Sequence, residues 1–88
     1  MIHLIFNTIE LNGSAHKITG QLRIKEDDEV KITFDDLMFG NSLKDYYKRK
    51  ESIEQLVIKN SEETRYETKN VFVSHLTIDG NHYHATFK

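Results

Sequence analysis

The side chains best suited to chemistry are three imidazoles, His75, His82 and His84, in the stretch 71–87, VFVSHLTIDGNHYHATF. Asp79-Gly80 is the strongest short turn signal in the sequence, because a two-residue type I′ loop needs positive φ at both central positions. With that pair at the tip, Ile78 faces Asn81, Leu76 faces Tyr83 and His75 faces His84. Alternation then puts Phe72, Leu76, Ile78, Tyr83, Ala85 and Phe87 on a core face. Val71, Val73, His75, Thr77, His82, His84 and Thr86 fall on the other. A three-residue turn would mix apolar and polar groups on each face, which favours the two-residue register. Three imidazoles on one sheet face suit a borderline ion such as zinc, nickel or copper, so His75, His82 and His84 form a candidate metal site. The same group could sense pH, since imidazole is the side chain whose charge changes near neutrality. The plain alternative is a solvated face on which histidine is a tolerated polar residue, and the closed ligand spacings of zinc motifs are absent.

A second constellation is Lys44-Asp45-Tyr46-Tyr47-Lys48-Arg49-Lys50. Two tyrosines among four bases are the mixture that single-stranded nucleic-acid binders use for stacking and phosphate contact. The same pattern describes a short amphipathic helix whose lysines stay wet, and no RNP-like, KH-like or helix-turn-helix pattern accompanies it. Leu37, Met38 and Phe39 beside Tyr46 and Tyr47 make an apolar, aromatic patch of the kind that supplies interface hot spots, unless 37–39 is a strand end turning into the core. Leu37, Met38, Phe39, Tyr46, Tyr47, Lys48 and Arg49 are therefore the candidate partner-binding surface, offered to another protein or to a second copy of the chain.

Composition removes several classes. The chain has no cysteine, so disulfide frameworks, thiolate clusters and cysteine nucleophiles are excluded. A net charge of −2 gives no global pull toward nucleic acid or anionic lipid. The opening residues MIHLIFNTIEL lack a basic leader region and are interrupted by His3, Asn7 and Glu10, so they predict neither a signal peptide nor a membrane span. The expected location is cytoplasmic. The run Glu26-Asp27-Asp28-Glu29 lacks the alternating oxygen ligands of a calcium loop, and carboxylates in full solvent have nothing to split their pKa values for acid and base work. Ser14 with His16, and Ser74 with His75, are strand neighbours that point to opposite faces, and no glycine-flanked elbow surrounds either serine. Four scattered glycines make no phosphate loop. No cofactor is implied.

The elements that must hold these residues are mostly strands. Residues 2–11 are apolar on both parities, which predicts a strand covered on both faces or bulged near Asn7. Asn12-Gly13 marks a turn. Beyond it Ile18, Leu22 and Ile24 alternate with polar residues, and Gly20 marks a bend or a close approach. Val30, Ile32 and Phe34 form the next strand. Ser42-x-x-Asp45 predicts a helix opening at Leu43 and ending near Lys50 or Glu51, followed by a strand over 53–59. The turn at 60–63 leads into a polar stretch whose Arg65, Glu67 and Lys69 would guard a sheet edge.

The expected fold is α+β, mostly β, one domain over 1–88. An antiparallel sheet curls into a small barrel or sandwich in the order βββ-α-βββ. The expected core is Ile18, Leu22, Ile24, Val30, Ile32, Phe34, Phe72, Leu76, Ile78, Tyr83 and Phe87. The expected function is a small non-enzymatic binding module acting through protein–protein contact. The proline-free, Lys- and Ile-rich composition suggests AT-rich coding sequence, hence a phage or mobile-element inhibitor or accessory factor. The histidine-face metal or pH domain and the single-strand binder are the alternatives.

Overall fold

The computed structural model describes residues 2–25, 27 and 29–88. Nine strands and one helix follow in the order β1 (Ile2–Phe6), β2 (Thr8–Leu11), β3 (Ser14–His16), β4 (Gly20–Ile24), β5 (Val30–Phe34), α1 (Leu37–Arg49), β6 (Ile53–Asn60), β7 (Glu63–Val71), β8 (Val73–Asp79) and β9 (His82–Phe87). The strands form two antiparallel sheets, a five-stranded one in the order β1-β4-β5-β9-β8 and a four-stranded one in the order β3-β2-β6-β7. The expected sequence of strands, one short helix and strands is what the chain adopts, as a two-sheet sandwich and not a closed barrel. Among the described residues no helix is long and apolar enough to cross a membrane.

The strand count exceeds six because the chain changes sheets at corners. At Asn7 it passes from β1 to β2, which is why residues 2–11 are apolar on both parities. Phe6 enters the core from one sheet, while Ile9 and Leu11 enter it from the other. The Asn7 side chain fixes this corner by accepting from the Ser61 backbone N–H at 3.1 Å, and the Asn7 N–H donates to Lys59 O at 2.9 Å. A second change lies between His16 and Gly20. A Cβ on Gly20 would stand 2.3 Å from Thr33 O and 2.7 Å from the Phe6 ring, so only glycine lets β4 lie this close to β5 and β1. The third corner is Phe72, which exchanges two backbone hydrogen bonds with Lys88, at 3.1 and 3.0 Å, on its way from β7 to β8.

The helix starts six residues ahead of the expected Leu43. Asp36 is its N-cap, with an extended backbone and a carboxylate that accepts from Phe39 N–H at 2.8 Å. Ser42 is interior and donates to Met38 O instead of capping. The run Leu37-Met38-Phe39 is thus a first helical turn, not a strand end. The far end matches expectation: Lys50 takes the left-handed conformation, and its N–H reaches back to Tyr46 O and Tyr47 O. Phe39, Gly40 and Leu43 form the buried stripe. Gly40 has a packing reason, because a Cβ there would meet the Tyr83 ring at 2.4 Å.

The hairpin departs from its expected register by two positions. Asp79 pairs with His82, leaving Gly80-Asn81 as the loop, with positive φ only at Gly80. This is the pattern of a loop with glycine first. Parity survives such a shift, so Tyr83, Ala85 and Phe87 are buried as expected. Upstream, Val73 pairs with Phe87 but His75 pairs with Thr86, so Ser74 is an extra, bulged residue. The bulge exchanges faces: Val73 is buried, whereas Phe72, expected in the core, is 45% exposed. Ile78, also expected inside, is 56% exposed near the hairpin tip, and Ile24 and Leu76 are half-buried against the core. The remaining expected core residues are buried, joined by Phe6, Ile9, Leu11, Phe39, Leu43, Ile53, Leu56 and Ile58 from regions outside the expected set.

Candidate functional site

The pairing of the five-stranded sheet aligns the side chains of its outer face into two cross-strand rows, all but the buried Thr86 at least partly exposed. One row reads His3, Arg23, Lys31, Thr86 and His75 from β1 to β8. The other reads Ile5, Gln21, Thr33, His84 and Thr77. Next to them Asp79 faces His82 across the hairpin. Neighbouring strands are about 4.8 Å apart, so each member of a row is the direct cross-strand neighbour of the next.

This geometry divides the three expected imidazoles. His82 is bound by Asp35, Nδ1 to Oδ1 at 2.5 Å, on the surface beside β5. His84 instead engages Thr33, Nδ1 to Oγ1 at 3.2 Å. His75 lies opposite Thr86, so it does not face His84 directly as the expected register required. Among the described residues no group of three or more His, Asp or Glu side chains is arranged to hold a metal ion. The hydroxyl of Ser74 donates to Thr86 O, and His16 rests on the Phe39 ring at 5.1 Å, so neither serine–histidine neighbour pair forms a dyad.

The candidate partner surface is also divided. Phe39 is 2% exposed and belongs to the core, and Tyr46 is half-buried against it. Leu37 is exposed, and Met38, at 81%, is more so. Met38 borders a depression with His16, Lys17, Asp36 and Ser42. Tyr47 and Lys48 border a different cleft at the far end of α1, completed by Lys50, Phe72, Val73 and Ser74. Arg49 is exposed in the last helical turn. Lys50, Phe72, Val73 and Ser74 lie outside the expected partner surface; Phe72 was expected in the core, and the bulge at Ser74 turns it outward.

Electrostatics differ between the two regions. On the sheet face, Arg23 and Lys31 are directly opposed, a like-charge pair that costs stability. The ammonium of Lys31 is held below the usual lysine range, first by the crowding of Lys25, with Arg23 adding to the effect and Glu29 opposing it. Lys25 is itself 3.8 Å from Glu29. Of the acidic run considered for calcium, Glu26 and Asp28 lie outside the described residues. On the other sheet, Lys59 is 2.8 Å from Glu10, whose carboxylate raises the lysine above its ordinary value.

No family model, curated protein or solved structure matches the chain. Function must therefore be read from the two surfaces themselves.

Proposed function

We propose that this chain is a non-enzymatic binding module that holds a segment of a partner protein against the cleft between the end of α1 and the start of β8. The observation that carries this reading is the distribution of large exposed apolar residues. Five of the six among the described residues, Leu37, Met38, Tyr47, Phe72 and Ile78, belong to α1, to β8 or to the residue leading into β8; only Ile5 lies elsewhere. Of these, Tyr47 and Phe72 line the cleft together, and paired exposed aromatic side chains are typical of a contact surface. Leu37 and Met38 lie at the other end of α1, and Ile78 near the hairpin tip.

The cleft also states what it prefers. Tyr47 and Phe72 offer aromatic faces, and Lys48 and Lys50 stand at its border. The fitting occupant is a protein segment with an apolar or aromatic side chain flanked by carboxylates. Small size and the lack of catalytic motifs agree with an inhibitor or accessory factor, of the sort phages and mobile elements encode, acting in the cytoplasm by occupying its partner.

The test is affinity capture from nuclease-treated lysate with the parent and with Tyr47→Ser/Phe72→Ser. Both positions are solvent-facing, so the double variant should retain the parental circular dichroism. A protein held stoichiometrically by the parent, lost with the variant, and released when its own acidic segment is neutralised supports the reading. Equal retention by both forms, or retention by neither, refutes it.

A further inference from the structure

A separate region, independent of the helix cleft, has the composition of a ligand site. We propose that the outer face of the five-stranded sheet binds a compact oxyanion, a phosphate or sulfate group, between Arg23, Lys31, His75 and His84. These four side chains line one concavity, and the hydroxyls of Thr33, Thr77 and Thr86 complete it. Every polar side chain in this lining can donate a hydrogen bond, and among the described residues no carboxylate lines it. Of the acids around it, Glu29 acts on Lys31 from the end of β5 but is held by Lys25 at 3.8 Å, while Asp35 is bonded to His82 and Asp79 faces His82 across the hairpin.

The strand pairing points the same way. Arg23 is set directly across from Lys31 in the β4–β5 pair with no acidic residue between them in the row, an arrangement that costs stability unless an anion bridges it. The ammonium of Lys31 is lowered chiefly by Lys25, which lies outside the concavity, and only to a lesser degree by Arg23. A guanidinium matches an oxyanion with two parallel donors, while the ammonium supplies a point charge. His84 uses Nδ1 toward Thr33, which leaves Nε2 free for a ligand.

The site favours a small anion over a nucleic-acid strand. Strand binders supply Phe, Tyr or Trp for base stacking, and none of these lines the concavity. The anion's two sources, a free inorganic ion and a phosphoryl group carried on another molecule, share this chemistry and separate by experiment.

The decisive measurement is an amide and side-chain NMR titration of the whole chain at constant ionic strength. Sodium phosphate, sodium sulfate, O-phosphoserine and a short single-stranded oligonucleotide are compared with sodium chloride. Saturable shifts at Arg23, Lys31, Thr33 and His84 with phosphate or sulfate, and none with chloride, are expected. Binding should weaken about tenfold or more in Arg23→Gln and in Lys31→Gln, since each removes a charge-assisted hydrogen bond. The Lys31 ammonium should also move up toward its ordinary range when the anion is bound. Tighter binding of O-phosphoserine than of inorganic phosphate would assign the site to a carried phosphoryl group. The proposal is overturned if chloride produces the same shifts, if the two variants bind like the parent, or if the oligonucleotide alone binds. Because both substitutions lie on the solvent face and relieve a repulsion, loss of binding in either cannot be mistaken for unfolding when the apo variant melts at or above the parent temperature.

Discussion

Gly40→Ala is the most informative single perturbation of the framework, because it asks how firmly α1 is seated on the sheet that carries both surfaces. The added methyl would lie 2.4 Å from the Tyr83 ring, where ordinary contact begins at 3.4 Å. The ring and the helix would therefore have to part by about 1 Å. Tyr83 has little room to retreat, because its ring is stacked nearly parallel on Phe34 at 5.2 Å, and Phe34 in turn meets Phe39 of the same helix edge-on at 5.1 Å. Overpacking costs ~1–3 kcal/mol, and with the ring held in place the upper half of that range, ~2–3 kcal/mol, applies. Alanine in place of glycine in a helix returns about 0.5–1 kcal/mol, leaving a net loss of about 1–2.5 kcal/mol. For a domain of this size that lowers Tm by roughly 4–20 °C. Urea unfolding followed by tyrosine fluorescence reads the difference, and the same substitution in a Tyr83→Leu background should cost less than half as much, because the obstructing ring is gone. A Gly40→Ala protein as stable as the parent would refute the reasoning, since helix propensity would then outweigh a contact claimed to be too close.

Other outcomes follow from the same coordinates. Gly20→Ala should be harsher than Gly40→Ala, about 3 kcal/mol by urea unfolding, because the obstacle at 2.3 Å is the Thr33 backbone carbonyl and cannot rotate away. Glu10→Gln should lower thermal stability by a constant amount between neutral pH and 10.5, where Glu10 is a carboxylate and Lys59 an ammonium. Lys59 is raised above its unfolded value of 10.5 by Glu10, so the stabilisation is complete below that pH and disappears as the pH rises through the folded value. Melts of parent and variant should therefore converge in strong alkali. Arg23→Gln should raise Tm of the ligand-free protein in low salt, and the gain should shrink as salt is added, because it comes from removing a repulsion with Lys31 that counterions also screen.

Much of the framework was legible because alternation is a local signal. The strands holding Leu22, Val30, Ile32 and Phe34 could be read from period two, and the end of α1 from where the apolar stripe fails. Its start was not, because Leu37-Met38-Phe39 looks like a strand end unless Asp36 is recognised as a cap three residues before Phe39. The hairpin tip could be placed within one residue, but the bulge at Ser74 has no sequence signature, and it alone decides that Val73 goes in and Phe72 comes out. The sheet face shows the same division. His75, His82 and His84 stood out as a residue type, whereas Arg23 and Lys31 were visible only as the polar half of two alternating strands. Closing those strands with Lys25 added to the acidic loop, so that Leu22 meets Ile32 on the apolar face, would have set Arg23 opposite Lys31; what no local pattern reveals is that β9 docks beside β5 and brings His84 to Thr33.

That docking also governs the order in which the protein can assemble. Thr33 and His84 touch although 51 positions separate them, and β2 likewise waits for β6. The hairpins β6–β7 and β8–β9 are local and can close within microseconds, but neither sheet is whole until a hairpin is inserted against a strand made much earlier. In the interval β5 presents a bare edge bearing Val30, Ile32 and Phe34, all of which end up buried. A nascent or partly unfolded chain is thus most adhesive along β5, and the substitutions that most endanger its yield in cells are those that delay the arrival of β9, whatever they do to the finished fold.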